Sequence, residues 1–248
     1  MSELLIVFLA GLATMIATGF GVIPVVLLGG NAELWRPLLC GLAVGAMAVA
    51  SVVGLLQPGL DVGTPLEVYG GLVLGVVLFF VIRATLRKRE VSIGEVRGAD
   101  VRRAALVFAV LFAHSLPEGF AIGTAYAAPD AEVGLFVILA IALQNVPEGT
   151  SVAIPMQDAG IGFWRQFWAA TATSIPQPIG AVIAYLAVDR IASGLLPISF
   201  GFAAGAMLVL VALEMIPQAF VRGGVARAII GTTLGAAMIF ALESAVNL

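Results

Sequence analysis

The chain has 248 residues, of which 61% are hydrophobic and only 11% charged, with a net charge of −3. Soluble domains carry roughly a quarter charged residues, so this composition, with a mean hydropathy of +1.10, excludes an ordinary soluble protein and points to an integral membrane protein. The small net charge and the lack of a basic, aromatic-rich patch exclude a nucleic-acid partner. A single cysteine, Cys40, excludes an internal disulfide and reads as a packing residue.

A hydrocarbon core about 30 Å thick needs about 20 apolar residues per helix. Eight runs qualify, at 4–28, 38–57, 66–86, 104–126, 133–156, 165–188, 197–218 and 225–246. The first opens as MSELLIVFLAGLATMIATGF, without a basic leader or a small-residue cleavage site, and reads as a retained span. Short turns such as GGNAELWRP and QPGLDVGTP join the early runs, whereas RKREVSIGEVRGADVRR at 87–103 is longer and polar. Ten-residue alternating strands are missing, which argues against a membrane barrel. The fold class expected is all-α, a single transmembrane domain over 1–248.

Eleven of the twelve Lys and Arg residues fall in odd-numbered connections or at their edges, Arg190 being the exception. The positive-inside rule makes those connections cytoplasmic, 87–103 included, and puts both termini outside. Asp61, Glu67, Asp130, Glu132 and Asp189 then lie at an acidic outer mouth, which would concentrate cations. Glu243 reads as an interfacial residue near the same side.

GLAVGAMAV at 41–49 matches GFAAGAMLV at 201–209 in six of nine positions. With this topology the two copies run in opposite directions. ATGFGVIP at 17–24 and ATSIPQP at 172–178 form a weaker echo. The chain therefore reads as three helices, a central pair and three inverted helices, an arrangement typical of secondary transporters with a site near the midplane.

The central pair carries HSLPEG at 114–119 and QNVPEG at 144–149. His114 and Glu118 are four apart and share a helix face, as do Gln144 and Glu148. Pro117 and Pro147 each remove a donor from the helix ladder, freeing the carbonyls of Ala113 and Leu143. Ionisable groups inside a span are costly and usually functional. Two carboxylates match the charge of one divalent cation, and a neutral imidazole adds a nitrogen donor. One nitrogen among several oxygens suits a borderline first-row metal better than Mg2+ or Ca2+.

Eight spans, a basic third connection, and H-x-x-P-E-G followed by x-N-x-P-E-G resemble the ZIP family of divalent-metal transporters, in its prokaryotic form. The G-x-A-x-G-A-M segment followed by E-M-I-P at 214–217 resembles that family's seventh helix. The resemblance covers the whole chain. It implies a secondary transporter in the cell membrane that moves divalent transition metals towards the cytosol between helices four and five. Zn2+ comes first, with Fe2+, Mn2+ and Cd2+ in range. The metal is substrate, with no prosthetic group, and a homodimer stays open.

Residue by residue, the resemblance gives His114, Glu118, Gln144 and Glu148 as the primary metal site. It adds Met47 as an optional thioether, with packing the equal alternative. Ser115, Asn145 and Gln177 fall at an adjoining second site. There Ser115 replaces the usual Asn and Gln177 a common Glu, while His114 is the chain's one histidine, so a His-rich sensing loop is missing. Glu214 either lines the exit path or snorkels to the surface. The rival transport reading is a proton-linked carrier of another small solute using Glu118 and Glu148. An intramembrane metallohydrolase is disfavoured, because H-E-x-x-H and a second histidine are missing; the chain is not expected to be an enzyme.

Overall fold

The computed structural model describes residues 2–88, 114–191, 193–221 and 223–246, and among them every regular element is helical. The polar connection 87–103, apart from Arg87 and Lys88, and the start of the run expected at 104–126 lie outside the described residues. Among the described residues, five helical stretches are by length and composition apolar enough to cross a membrane: Glu3–Val62, Ala131–Asp158, Phe163–Asp189, Leu196–Ala219 and Val225–Val246. A shorter apolar stretch covers Pro65–Val81. Over the described residues the chain is all-helical, with several apolar helices suited to a bilayer.

In chain order, α1 (Glu3–Gly19) and α2 (Val22–Leu28) precede α3 (Ala32–Ser51) and the short α4 (Gln57–Val62). Next come α5 (Pro65–Lys88), α6 (114–126) and α7 (Ala131–Asp158). Then follow α8 (Phe163–Thr173), α9 (Pro176–Leu186), α10 (Leu196–Leu210), the one-turn α11 (Ile216–Ala219) and α12 (Val225–Val246). Helix α5 opens on a reciprocal cap: Thr64 N donates to Glu67 Oε2 at 2.8 Å and Glu67 N returns to Thr64 Oγ1 at 3.4 Å. That is the physical content of T-x-x-E before an apolar run. Asp130 caps α7 by accepting from Glu132 N at 2.9 Å.

Two of the expected continuous spans are broken. The run at 4–28 is interrupted at Phe20–Gly21, and the run at 165–188 at Ser174–Ile175. The cause is proline, which cannot donate to the carbonyl four residues back. Pro24, Pro176 and Pro178 remove the i+4 donors to Phe20, Ala172 and Ser174, whose carbonyls accept instead from the residue three ahead: Ile23 N at 3.0 Å, Ile175 N at 3.4 Å and Gln177 N at 3.0 Å. Π-helical turns at Val52–Leu56 and Val211–Met215 have the same origin. Pro58 and Pro217 each remove the i+4 donor to a carbonyl inside those turns, at Gly54 and Leu213, and a wider i+5 turn accommodates the loss.

Packing between long helices rests on size, because apolar residues cover both faces. In α12 the buried residues are Ala228, Gly231, Gly235 and Ile239, a single stripe, while Ile229, Ile230, Leu234 and Phe240 are exposed. Lipid-facing surface is as apolar as the core, so small residues mark the protein interface. Helix α3 packs on α12 with Gly41 and Gly45 against the carbonyls of Ala228 and Thr232, and with Gly231 and Gly235 against those of Leu38 and Leu42. Helix α10 packs on α5 in the same manner, Gly201 and Gly205 facing Val68 and Leu72, and Gly71 and Gly75 facing Ile198 and Phe202. A Cβ at any of these glycines would overlap backbone.

The central helices dock just as closely. Gly149 of α7 lies on the Thr18 carbonyl, and Gly119 of α6 on the Gln177 carbonyl. Gly21 meets Val146 and Gly180 meets Leu116. The glycine of each P-E-G therefore brings its glutamate against a helix break.

Candidate metal site

Helices α6 and α7 carry the two motifs, and their four polar side chains come together. His114, Glu118, Gln144 and Glu148 are all 5% exposed or less. Gln144 Nε2 lies 3.5 Å from Glu118 Oε1. His114 and Glu148 line one small cavity, of about 20 Å3, with Cys40, Ala43, Ser151 and Met215. Because successive i, i+4 residues lie one turn apart, Glu118 and Gln144 form one level of the site, and His114 and Glu148 the next. The imidazole is held by stacking on Phe79 of α5, with ring centroids 6.3 Å apart and an interplanar angle of 22°.

Hydrogen bonding divides the two glutamates. Glu118 accepts from Gln144 and, at 2.6 Å, from Gln177 Nε2 at the start of α9. Both oxygens of Glu148 are buried without a partner, and Gln144 Oε1 and Asn145 Oδ1 share that condition. These orphans are all acceptors. Buried polar groups are nearly always matched, and a local surplus of acceptors over donors is what a bound cation resolves. Among the described residues, no group of three or more His, Cys, Asp or Glu is arranged to hold a metal ion. The donor set is one imidazole, two carboxylates and amide oxygens.

The remaining expected residues fall in distinct places. Asn145 and Gln177 are fully buried beside Glu118, and Asn145 Nδ2 donates to Gln177 Oε1 at 3.1 Å. Ser115 joins the break in the α8–α9 rod, its Oγ 3.4 Å from Ser174 Oγ, which in turn lies 2.7 Å from Thr18 Oγ1. Met47 is 1% exposed and packs in the main apolar core with Ile141 and Met207. Glu214 sits in the π turn after α10, paired with Arg83 at 3.3 Å. Of the carboxylates expected at the outer mouth, Asp61 and Asp130 come together with Glu243 around a cavity of about 240 Å3.

Three contributors escaped the sequence reading. Phe79 orients His114, the Thr14 carbonyl anchors Asn145 at 2.8 Å, and Cys40, expected only to pack, lines the cavity at His114. Phenylalanine and cysteine in apolar runs carry no local signal that separates them from core. A backbone carbonyl carries none at all.

A polytopic helical protein with a buried, acceptor-rich imidazole–carboxylate site between two P-E-G helices belongs to the class of membrane metal carriers. The model of the ZIP zinc transporter family matches residues 86–243. The chain belongs to that family. It is 32% identical to the zinc transporter GufA of Myxococcus xanthus, over 88% of this chain and 89% of that protein. It is also 32% identical to the zinc transporter ZIPB of Bordetella bronchiseptica, over 96% of this chain and 81% of the other. An Arabidopsis thaliana protein bearing a zinc-transporter name is 32% identical across 94% of this chain, which spans only 38% of that longer protein.

Proposed function

We propose that this chain is a secondary transporter that moves divalent transition-metal ions towards the cytosol, Zn2+ first and Fe2+, Mn2+ and Cd2+ within range. The metal crosses between α6 and α7 on His114, Glu118, Gln144 and Glu148. The observation that carries this reading is the set of unmatched buried acceptors at Glu148 and Gln144 beside an imidazole. A carboxylate buried without a donor, as Glu148 is, costs several kcal/mol unless it is neutralised or paired, and that carboxylate together with Glu118 and a nitrogen donor suits a 2+ ion. Relatives with zinc-transporter names that align over most of this chain and of their own length support the choice of cargo.

The architecture we assign is three helices, a central pair and three inverted helices. Its support is a repetition of contacts. Leu38, Gly41, Leu42 and Gly45 meet α12 as Ile198, Gly201, Phe202 and Gly205 meet α5, each pair offset by 160 in number. Gly21 on Val146 and Thr18 on Gly149 correspond likewise to Gly180 on Leu116 and Gln177 on Gly119. Both termini lie outside the cell membrane, and Glu214 with Arg83 flanks the inner exit.

The test is metal uptake into proteoliposomes with a panel of divalent ions, for the unmodified chain and for Glu118→Gln and Glu148→Gln. Each variant removes one compensating charge and should abolish Zn2+ uptake while the protein elutes as a folded species. Full uptake by either variant would sink the site assignment. Uptake of an unrelated solute but of no metal would favour the proton-linked alternative.

A further inference from the structure

A chain of amides behind Glu118 has a polarity that the backbone dictates. Asn145 Nδ2 donates to the Thr14 carbonyl at 2.8 Å and to Gln177 Oε1 at 3.1 Å, and Gln177 Nε2 donates to Glu118 Oε2 at 2.6 Å. Thr14, Glu118, Asn145 and Gln177 are each at most 1% exposed. A carbonyl has no proton, so Thr14 can only accept and Asn145 must turn its NH2 towards it. That same NH2 fixes the Gln177 oxygen on its side. Gln177 is then left with its NH2 facing Glu118. Turning either amide around would set acceptor against acceptor or donor against donor, so the orientation follows from the network and not from a choice of atom names.

We infer that Gln177 is a positioning residue that stands in for a second cation, so that the pathway carries one divalent ion at a time. The inference rests on reading His114, Glu118, Gln144 and Glu148 as the transport site. A carboxylate that bridges two metals offers an oxygen to each. Here Oε2 of Glu118 is taken by the Gln177 amide, and only Oε1, on the Gln144 side, remains. The flank beyond Oε2 is built from Ser115, Asn145, Gln177 and the hydroxyls of Thr18 and Ser174, which are neutral. A first 2+ ion already matches the charge of the two glutamates, and a second on the Gln177 side would find no free oxygen on Glu118 and no compensating charge. Glu148, with both oxygens unmatched, is the carboxylate free to follow the ion, while Glu118 is held.

The experiment is equilibrium dialysis of the full chain in detergent with Zn2+ and, separately, Cd2+, supplemented by anomalous diffraction from Cd2+. The unmodified protein should bind one ion in the pathway, and Glu148→Gln should bind none. Gln177→Glu should raise the count to two. Gln177→Leu, which keeps the volume and removes the donor, should keep one ion and bind it about tenfold more weakly, as expected for losing a hydrogen bond to a charged group. If Gln177→Glu does not fold, Ser115→Asp supplies the missing charge from α6 and should likewise give two. Two pathway ions in the unmodified chain, one ion in both charge-adding variants, or wild-type affinity in Gln177→Leu would each overturn the inference. Unchanged metal content in Glu148→Gln would sink the transport-site reading itself. A normal loss in that variant beside two ions in the parent would sink the relay alone.

Discussion

Both oxygens of Glu148 are buried without a donor, whereas Glu118 meets the amides of Gln144 and Gln177. An unmatched buried polar group costs about 1–3 kcal/mol, more when charged. Without metal, an ionised Glu148 faces the Glu118 carboxylate with no donor between them, and an isosteric neutral amide, which can donate to Glu118, should help the fold as it ends transport. Glu148→Gln should raise the melting temperature of the metal-free protein by a few degrees and abolish the further rise that Zn2+ gives the parent. A lower metal-free melting temperature, or an undiminished Zn2+ response, would show that Glu148 is matched in a way these contacts do not reveal. The four central side chains were legible because an ionisable motif recurred thirty residues later in apolar sequence. Their inequality was not, since it arises from Thr14, Asn145 and Gln177, which three separate helical segments bring together.

At the scale of helices, hydropathy located the apolar runs yet missed the breaks at Phe20–Gly21 and Ser174–Ile175, because Pro, Gly and Ser interrupt hydrogen bonding without making a run polar. The matching segments at 41–49 and 201–209 were visible, and their use was partly so: the glycines admit a neighbouring backbone. Which backbone they admit, α12 for one copy and α5 for the other, needed the fold. Adjacent glycines in α5 test this. Gly71 lies against the Ile198 carbonyl, whereas a Cβ at Gly70 has open space around it. Gly71→Ala should destabilise the protein by about 1–3 kcal/mol, the usual cost of overpacking. Gly70→Ala should stabilise it by up to about 1 kcal/mol through helix propensity. Thermal melts in one detergent compare them, and equal effects would mean that α5 and α10 do not pack as closely as described.

Across the whole molecule the charges separate. Arg83 pairs with Glu214 at 3.3 Å, Arg36 with Glu33 at 3.1 Å, and Arg227 donates to the Leu34 carbonyl at 3.0 Å while lying 6.0 Å from the Trp35 ring. These residues mark one end. Asp61, Asp130 and Glu243 share a cavity at the other helix ends: Glu243 lies near the C-terminus of α12, whose N-terminal turn carries Arg227. The small cavity at His114 and Glu148 extends to Met215 and Gln218, immediately after Glu214, and so opens from the site towards the arginine end. If that end is cytoplasmic, as the distribution of Lys and Arg predicts, the acidic cavity would gather ions outside and the arginine end release them within. Two cysteines introduced singly in a Cys40→Ala background decide the matter. Gly98→Cys, in the basic connection, should react in intact cells only with membrane-permeant thiol reagents. Ala128→Cys, at the acidic cavity, should react with an impermeant reagent added outside, and Cd2+ in the medium should slow that reaction as the carboxylates collect it. The reverse labelling pattern would invert the protein in the membrane and turn the proposed import into export.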